Sequence, residues 1–196
     1  MEYDIYALQK KLSKIMTKKR FYHSLGVQGM SLALAIRYGY DIDKANLAGL
    51  LHDCAKDMKD EKLIAECRKY KLPVSEIENR NGFLLHGKLG AYYSEHKYGV
   101  CDREILSAIY FHTTGKPDMT LLEKIIFVAD YIEPNRSEKR VPELNSIRRL
   151  AFRDLDKSVL EILKNTLYYL ETEGQDIDKL TVDAYDYYKS KLLLKS

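Results

Sequence analysis

Thr120-Leu121-Leu122-Glu123-Lys124-Ile125-Ile126-Phe127-Val128-Ala129-Asp130-Tyr131-Ile132 reads as a helix from its first residue. Thr120 and Glu123 form a capping box, in which the hydroxyl and the carboxylate satisfy N–H groups that the first turn leaves without partners. Leu122, Ile126 and Asp130 then follow at four-residue steps, so an ionisable group falls on a stripe that should face the core. Outward from this segment the same periodicity runs through almost the whole chain, and apolar–polar alternation is scarce. The expected fold is all-α. Helices are expected at about 3–17, 20–38, 43–55, 60–71, 86–98, 103–112, 120–133, 143–170 and 179–193, the eighth breaking near Asp154–Asp156. Gly39 and Gly99 suit left-handed helix ends, and Pro73, Pro117, Pro134 and Pro142 stand where a helical pattern stops or has not begun. No repeat, linker or low-complexity tract divides residues 1–196, so one domain is expected.

Four of the five histidines repeat the Asp130 pattern. His23 shares a stripe with Val27, Met30 and Leu34; His52 lies with Ala48 and Ala55, next to Asp53. His86 opens a helix carrying Leu89, Gly90 and Tyr93, and His112 follows Ile105 and Ala108. A lone histidine on an apolar stripe is ordinarily a core residue with a hydrogen-bond partner, and a lone His-Asp pair says little. The joint pattern carries the reading: six such groups need partners or counter-charge inside the core, and metal coordination supplies both. His96, among Glu95, Lys97 and Tyr98, is the contrast and reads as a surface residue.

Imidazole and carboxylate without thiolate suit iron, manganese, zinc, cobalt or nickel. Six ligand residues exceed the needs of one tetrahedral ion and fit two divalent ions about 3.5–4 Å apart. Asp53, with two oxygens, is the natural bridge.

The bulk properties exclude other classes. A net charge of +3 with interspersed signs gives no basis for binding a nucleic-acid polymer or an anionic membrane. No apolar run approaches the ~20 residues that span a bilayer, and Met1–Lys11 lacks the apolar stretch of a signal peptide. Cys54, Cys67 and Cys101 form neither a Cys-x-x-Cys motif nor an even set, which points to a reducing cytoplasm and unpaired thiols.

The order His23, His52-Asp53, His86, His112, Asp130 resembles the HD-domain superfamily of metal-dependent phosphohydrolases, in the variant with two additional histidines. The local strings Arg20-Phe-Tyr-His23, Leu51-His52-Asp53-Cys-Ala-Lys56-Asp57, Leu85-His86-Gly-Lys-Leu-Gly90, His112-Thr-Thr-Gly115-Lys-Pro117 and Ala129-Asp130-Tyr-Ile-Glu-Pro-Asn-Arg136 narrow the likeness to the YqeK family of bacterial symmetrical diadenosine tetraphosphate (Ap4A) hydrolases. The likeness covers about residues 15–185. It implies an HD helical bundle with its core at about 18–135 and added C-terminal helices at about 140–193. It also implies a di-iron centre, cleavage of Ap4A to two ADP, and a homodimer. By this likeness the first ion takes His23, His52, Asp53 and Asp130, and the second takes Asp53, His86 and His112. The segment Thr172–Ile177, with Gly174 and Gln175, corresponds to a nucleotide-holding stretch; it departs from the family pattern in lacking a following proline, with Lys179 nearby.

The expected chemistry is attack by a metal-bridged hydroxide on an inner phosphorus, with ADP leaving. Candidates for stabilising phosphoryl charge are Arg20, Lys56, Arg136, the Thr113 hydroxyl and the Gly115 N–H. His86 and Asp130 would border the bound phosphates, and Asp57 is a candidate proton donor to the leaving group. Tyr22, Tyr131, Tyr168 and Tyr169 are available to hold adenine. The competing readings are another HD nucleotide hydrolase, acting on a mononucleotide, alarmone or cyclic dinucleotide; a di-iron oxygenase; and a non-catalytic nucleotide-binding module.

Overall fold

The computed structural model describes residues 3–138, 141 and 143–194; Pro142 and the ends of the expected domain lie outside the described residues. Eleven α-helices are formed among them: α1 (Ile5–Ile15), α2 (Lys18–Tyr38), α3 (Ile42–Leu51), α4 (Asp60–Lys69), α5 (Glu76–Arg80), α6 (Leu85–Tyr98), α7 (Arg103–Phe111), α8 (Leu121–Ile132), α9 (Leu144–Ala151), α10 (Leu155–Thr172) and α11 (Lys179–Leu193). No strand occurs among the described residues.

Local chemistry sets the ends. The Thr120 hydroxyl and Glu123 carboxylate close the expected capping box at α8. Gly39 (φ 66°) and Gly99 (φ 73°) end α2 and α6 in the left-handed conformation that costs glycine little. The expected break falls at Asp154, whose side chain accepts from Lys157 N and starts α10.

Two elements differ from expectation. The helix expected to run to residue 55 stops at Leu51. The His52 ring bonds to Gly49 O at 2.8 Å, the acceptor that a further helical turn would offer to Asp53. The chain then continues in tight turns, with Cys54 N donating to Leu51 O and Lys56 N to Asp53 O. The short α5 was not expected. Five residues carry no readable apolar stripe, and the helix rests on a capping box between Ser75 and Glu78.

The stripes read from sequence meet in one core. Helix α2 packs on α3 and α8, and α7 on α3, α6 and α8, burying Val27, Leu34, Ala48, Leu89, Ile105, Ala108, Leu122 and Ile126. Helices α6 and α7 lie tightly together at Gly87: a Cβ there would stand 2.8 Å from Tyr110 O and 3.2 Å from Ile109 O. At the far end of α8, Arg148 of α9 donates to Ile132 O (2.9 Å), Glu133 O (2.8 Å) and Arg136 O (3.3 Å). One guanidinium thus satisfies carbonyls that the helix end leaves open.

Candidate metal centre

The six polar groups on apolar stripes converge on one point. Asp53 stands in the middle, and its two oxygens face opposite ways. Oδ2 lies 3.4 Å from His52 Nε2 and 3.6 Å from His23 Nε2. Oδ1 lies 3.3 Å from His86 Nε2 and 3.5 Å from His112 Nε2. Asp130 Oδ1 completes the first side, 2.9 Å from His23 Nε2 and 4.0 Å from His52 Nε2. All four imidazoles and Asp53 are buried, and Asp130 is partly so.

Each ring is oriented by its other nitrogen. Nδ1 of His52 meets Gly49 O at 2.8 Å, Nδ1 of His86 meets Phe83 O at 2.5 Å and Nδ1 of His112 meets Ile109 O at 2.7 Å. A carbonyl only accepts, so Nδ1 carries the hydrogen and Nε2 presents a lone pair to the cluster. These lone pairs lack a donor that would satisfy them all. His86 Nε2 and His112 Nε2 face each other at 3.0 Å, and the buried Nε2 of His52 makes no hydrogen bond among the described residues. Such convergence repels unless positive charge lies between, and the donor set fits divalent metal ions: His23, His52 and Asp130 lie close enough to share one, and Asp53 and His112 lie within the same reach of His52.

The electrostatics agree. Burial opposes charge on His23, but hydrogen bonds to Asp130 and Glu133 and the Asp53 charge outweigh it and raise the imidazole to about 9. The space around its Nε2 therefore favours a cation. Burial, with the Lys56 charge, lowers His86 to about 4 and keeps it neutral. Burial would raise the Asp53 and Asp130 carboxyls, yet the surrounding histidines, and Arg136 beside Asp130, hold both well below the usual carboxylate range.

Cations ring the cluster. Arg20 Nη1 lies 2.6 Å from Asp53 Oδ2, and Arg136 Nη2 lies 2.8 Å from Asp130 Oδ1. Lys56 Nζ is 3.2 Å from His86 Nδ1, and burial lowers its pKa. The Thr113 hydroxyl is 3.0 Å from His86 Nε2 and 3.3 Å from His112 Nε2. A groove of about 560 Å³, lined by Lys19, Arg20, His23, Glu133, Asn135 and Arg136, opens on this side. It adjoins, through Val141, a cleft of about 410 Å³ lined by Tyr131, Asn165, Tyr168, Tyr169 and Thr172.

Other sequence candidates stand elsewhere or are engaged. Asp57 Oδ2 accepts from Thr17 N at 2.6 Å, and Oδ1 lies 4.0 Å from Arg20 Nε, so this carboxylate fastens the start of α2. The Gly115 N–H donates to Phe111 O at 2.8 Å and is committed within its turn. Gly174 and Gln175 are exposed beyond α10, where Gln175 N closes the turn on Leu170 O. Tyr22 is 52% exposed and lines neither recess, in contrast to Tyr131, Tyr168 and Tyr169. His96 is exposed, as expected. Cys54, Cys67 and Cys101 are all unpaired thiols. No described helix is long and apolar enough to cross a membrane.

Sequence reasoning missed Glu133. It is 2% exposed and sits 3.1 Å from His23 Nδ1. Its only signal was its place three residues after Asp130, just before a proline.

The HD-domain family model matches residues 20–135, a span that contains all six converging side chains. The chain belongs to the HD-domain family. Two of the curated relatives carry the name symmetrical bis(5'-nucleosyl)-tetraphosphatase. The one from Bacillus subtilis (strain 168) is 38% identical over 88% of this chain and 90% of its own length. That from Staphylococcus aureus (strain NCTC 8325 / PS 47) is 39% identical over 91% and 92%. A crystal structure from Clostridium acetobutylicum, described as a predicted HD superfamily hydrolase involved in NAD metabolism, superposes with a TM-score of 0.92 at 37% identity. The match covers 97% of this chain and all of that one. The HD helices expected from sequence are thus those of a solved HD protein, while α9–α11 extend beyond the matched HD segment.

Proposed function

We propose that this HD domain hydrolyses Ap4A symmetrically to two ADP at two divalent metal ions, with iron the first candidate. One observation carries the two-ion reading: the two oxygens of Asp53 face two separate histidine pairs. The first ion would be held by His23, His52, Asp53 and Asp130, the second by Asp53, His86 and His112. When bound, such ions lower the pKa of water toward ~7 and neutralise phosphoryl charge. The curated relatives supply the substrate reading.

The chain's own groups do the rest. Arg20 and Arg136 stand at the mouth of the cluster, where they would bind phosphoryl oxygens and hold the tetraphosphate in line. Lys56 and Thr113 border the His86–His112 side and offer donors to the opposite half of the polyphosphate. The tyrosine cleft beside the cationic groove would take one adenosine by stacking. Asp57, fastened to Thr17, keeps Arg20 in place rather than delivering a proton.

Chromatography of products from Ap4A tests the reading: two ADP support it, whereas AMP plus ATP overturns it. Arg136→Ala should keep both ions but lower kcat/KM by roughly 10–1,000-fold, the equivalent of ~1.4–4 kcal/mol. Unchanged kinetics would remove Arg136 from the phosphate site.

The two ions should also differ in their response to pH. His23 holds a proton below about 9, so binding at its Nε2 requires loss of that proton. Affinity at the first position should fall about tenfold per unit from pH 9 to 7, whereas His86, neutral down to about 4, imposes no such slope on the second. Competition against a chelator at pH 7, 8 and 9 measures both. Equal slopes would contradict the assignment of His23 to the first ion alone.

A further inference from the structure

Three of the four histidines take their orienting contact from a main-chain carbonyl three residues back, at a place where a helix begins or ends. His23 is held differently. It lies inside α2, where the carbonyls are already used by the helix ladder. Its Nδ1 instead meets a carboxylate from the end of α8, Glu133 Oε1, at 3.1 Å. Glu133 is 2% exposed although it is charged, and its other oxygen accepts from Asn135 N at 2.6 Å. The Asn135 side chain reaches back to Tyr22 O at 3.2 Å, which ties the turn to α2 beside His23. The space for the carboxylate exists because residue 26 has no side chain: a Cβ there would stand 2.3 Å from Glu133 Oε2 and 2.9 Å from Asn135 Nδ2. A buried acid, a turn that wraps it and a glycine one helical turn from His23 therefore form one device.

We propose that Glu133 is the positioning residue for the first metal ion, fixing the tautomer and angle of His23 from a seat that Gly26 leaves open. The inference rests on the two-ion reading. A carboxylate partner holds the ring with Nδ1 protonated and makes Nε2 a stronger donor to metal than a carbonyl partner does. Of the four rings, only that of His23 has this support among the described residues, so the first ion depends on Glu133 and the second does not.

The test is metal titration of the purified protein without nucleotide, using Co(II) so that each equivalent is read from its visible absorption. Wild type should bind two equivalents. Glu133→Gln keeps the size of the side chain and removes its charge. It should weaken one equivalent by about 10–100-fold, the range for lost partners of metal-ligating histidines, and leave the other at wild-type affinity. Gly26→Ala leaves every charge in place and should weaken the same equivalent, because its methyl displaces the carboxylate. The double variant should lose much less than the product of the two single effects, since both act through one contact. Two wild-type affinities in Glu133→Gln, or equal weakening of both ions, would overturn the proposal. A single equivalent in wild type would instead overturn the two-ion reading beneath it. Gly26→Ala supplies the same decision should Glu133→Gln unfold.

Discussion

Asp53→Ala is expected to lose both metal ions and to reduce Ap4A hydrolysis to background, a fall of ~10⁴-fold or more, or ~5.4 kcal/mol in the barrier. The size follows from position. Both histidine pairs face one carboxylate, through separate oxygens. On the proposed assignment, removing it would take a ligand from each ion and leave five buried or half-buried donors with no common anion. The fold should persist, because the surrounding apolar stripes are untouched and Arg20 can turn fully to Asp57, which its Nε already approaches at 4.0 Å. Metal analysis, activity and helical circular dichroism on one preparation make the measurement. Wild-type turnover in this variant would reject the mechanism, while loss of helical signal would assign Asp53 a structural role.

Gly87→Val is expected to cost both stability and activity, and for one reason. The new side chain would be driven toward Tyr110 O and Ile109 O, main-chain atoms of α7 that cannot rotate away. Overpacking of this kind costs about 1–3 kcal/mol, readable as a lower urea midpoint. The displaced elements carry two of the proposed metal ligands. Gly87 follows His86, and Ile109 O is the acceptor that orients His112. Forcing α6 from α7 separates Nε2 atoms that now stand 3.0 Å apart, so one of the two ions should be lost even where the protein remains folded. Full metal content at a lowered midpoint would show that the α6–α7 approach serves packing alone.

Much of this site was legible in the chain because burying ionisable groups is costly. Six of them on apolar stripes had to meet, and they do. The capping box at Thr120 and the break at Asp154 were readable because a single side chain's hydrogen bond sets each. Glu133 was not readable: an acid at a helix end before proline has the signature of a solvated residue, and only the absence of a side chain on Gly26, distant in sequence, buries it. The Gly115 N–H looked available because nothing local shows that Phe111 O claims it. Helix α3 was read too long because Ala55 continues the stripe, whereas the His52 ring takes the carbonyl needed for the next turn. Arg148 gave no signal, since its partners are main-chain atoms of another helix.

That arginine alters where the active unit ends. Although the family match closes at residue 135, the strap bearing Glu133 and Arg136 is fastened from α9. A protein trimmed at the family boundary would expose the Ile132 and Glu133 carbonyls to water, slacken the His23 support and lack Arg136 altogether. Exchanging the C-terminal helices between HD proteins would therefore succeed only if the incoming segment brought a guanidinium to the same spot.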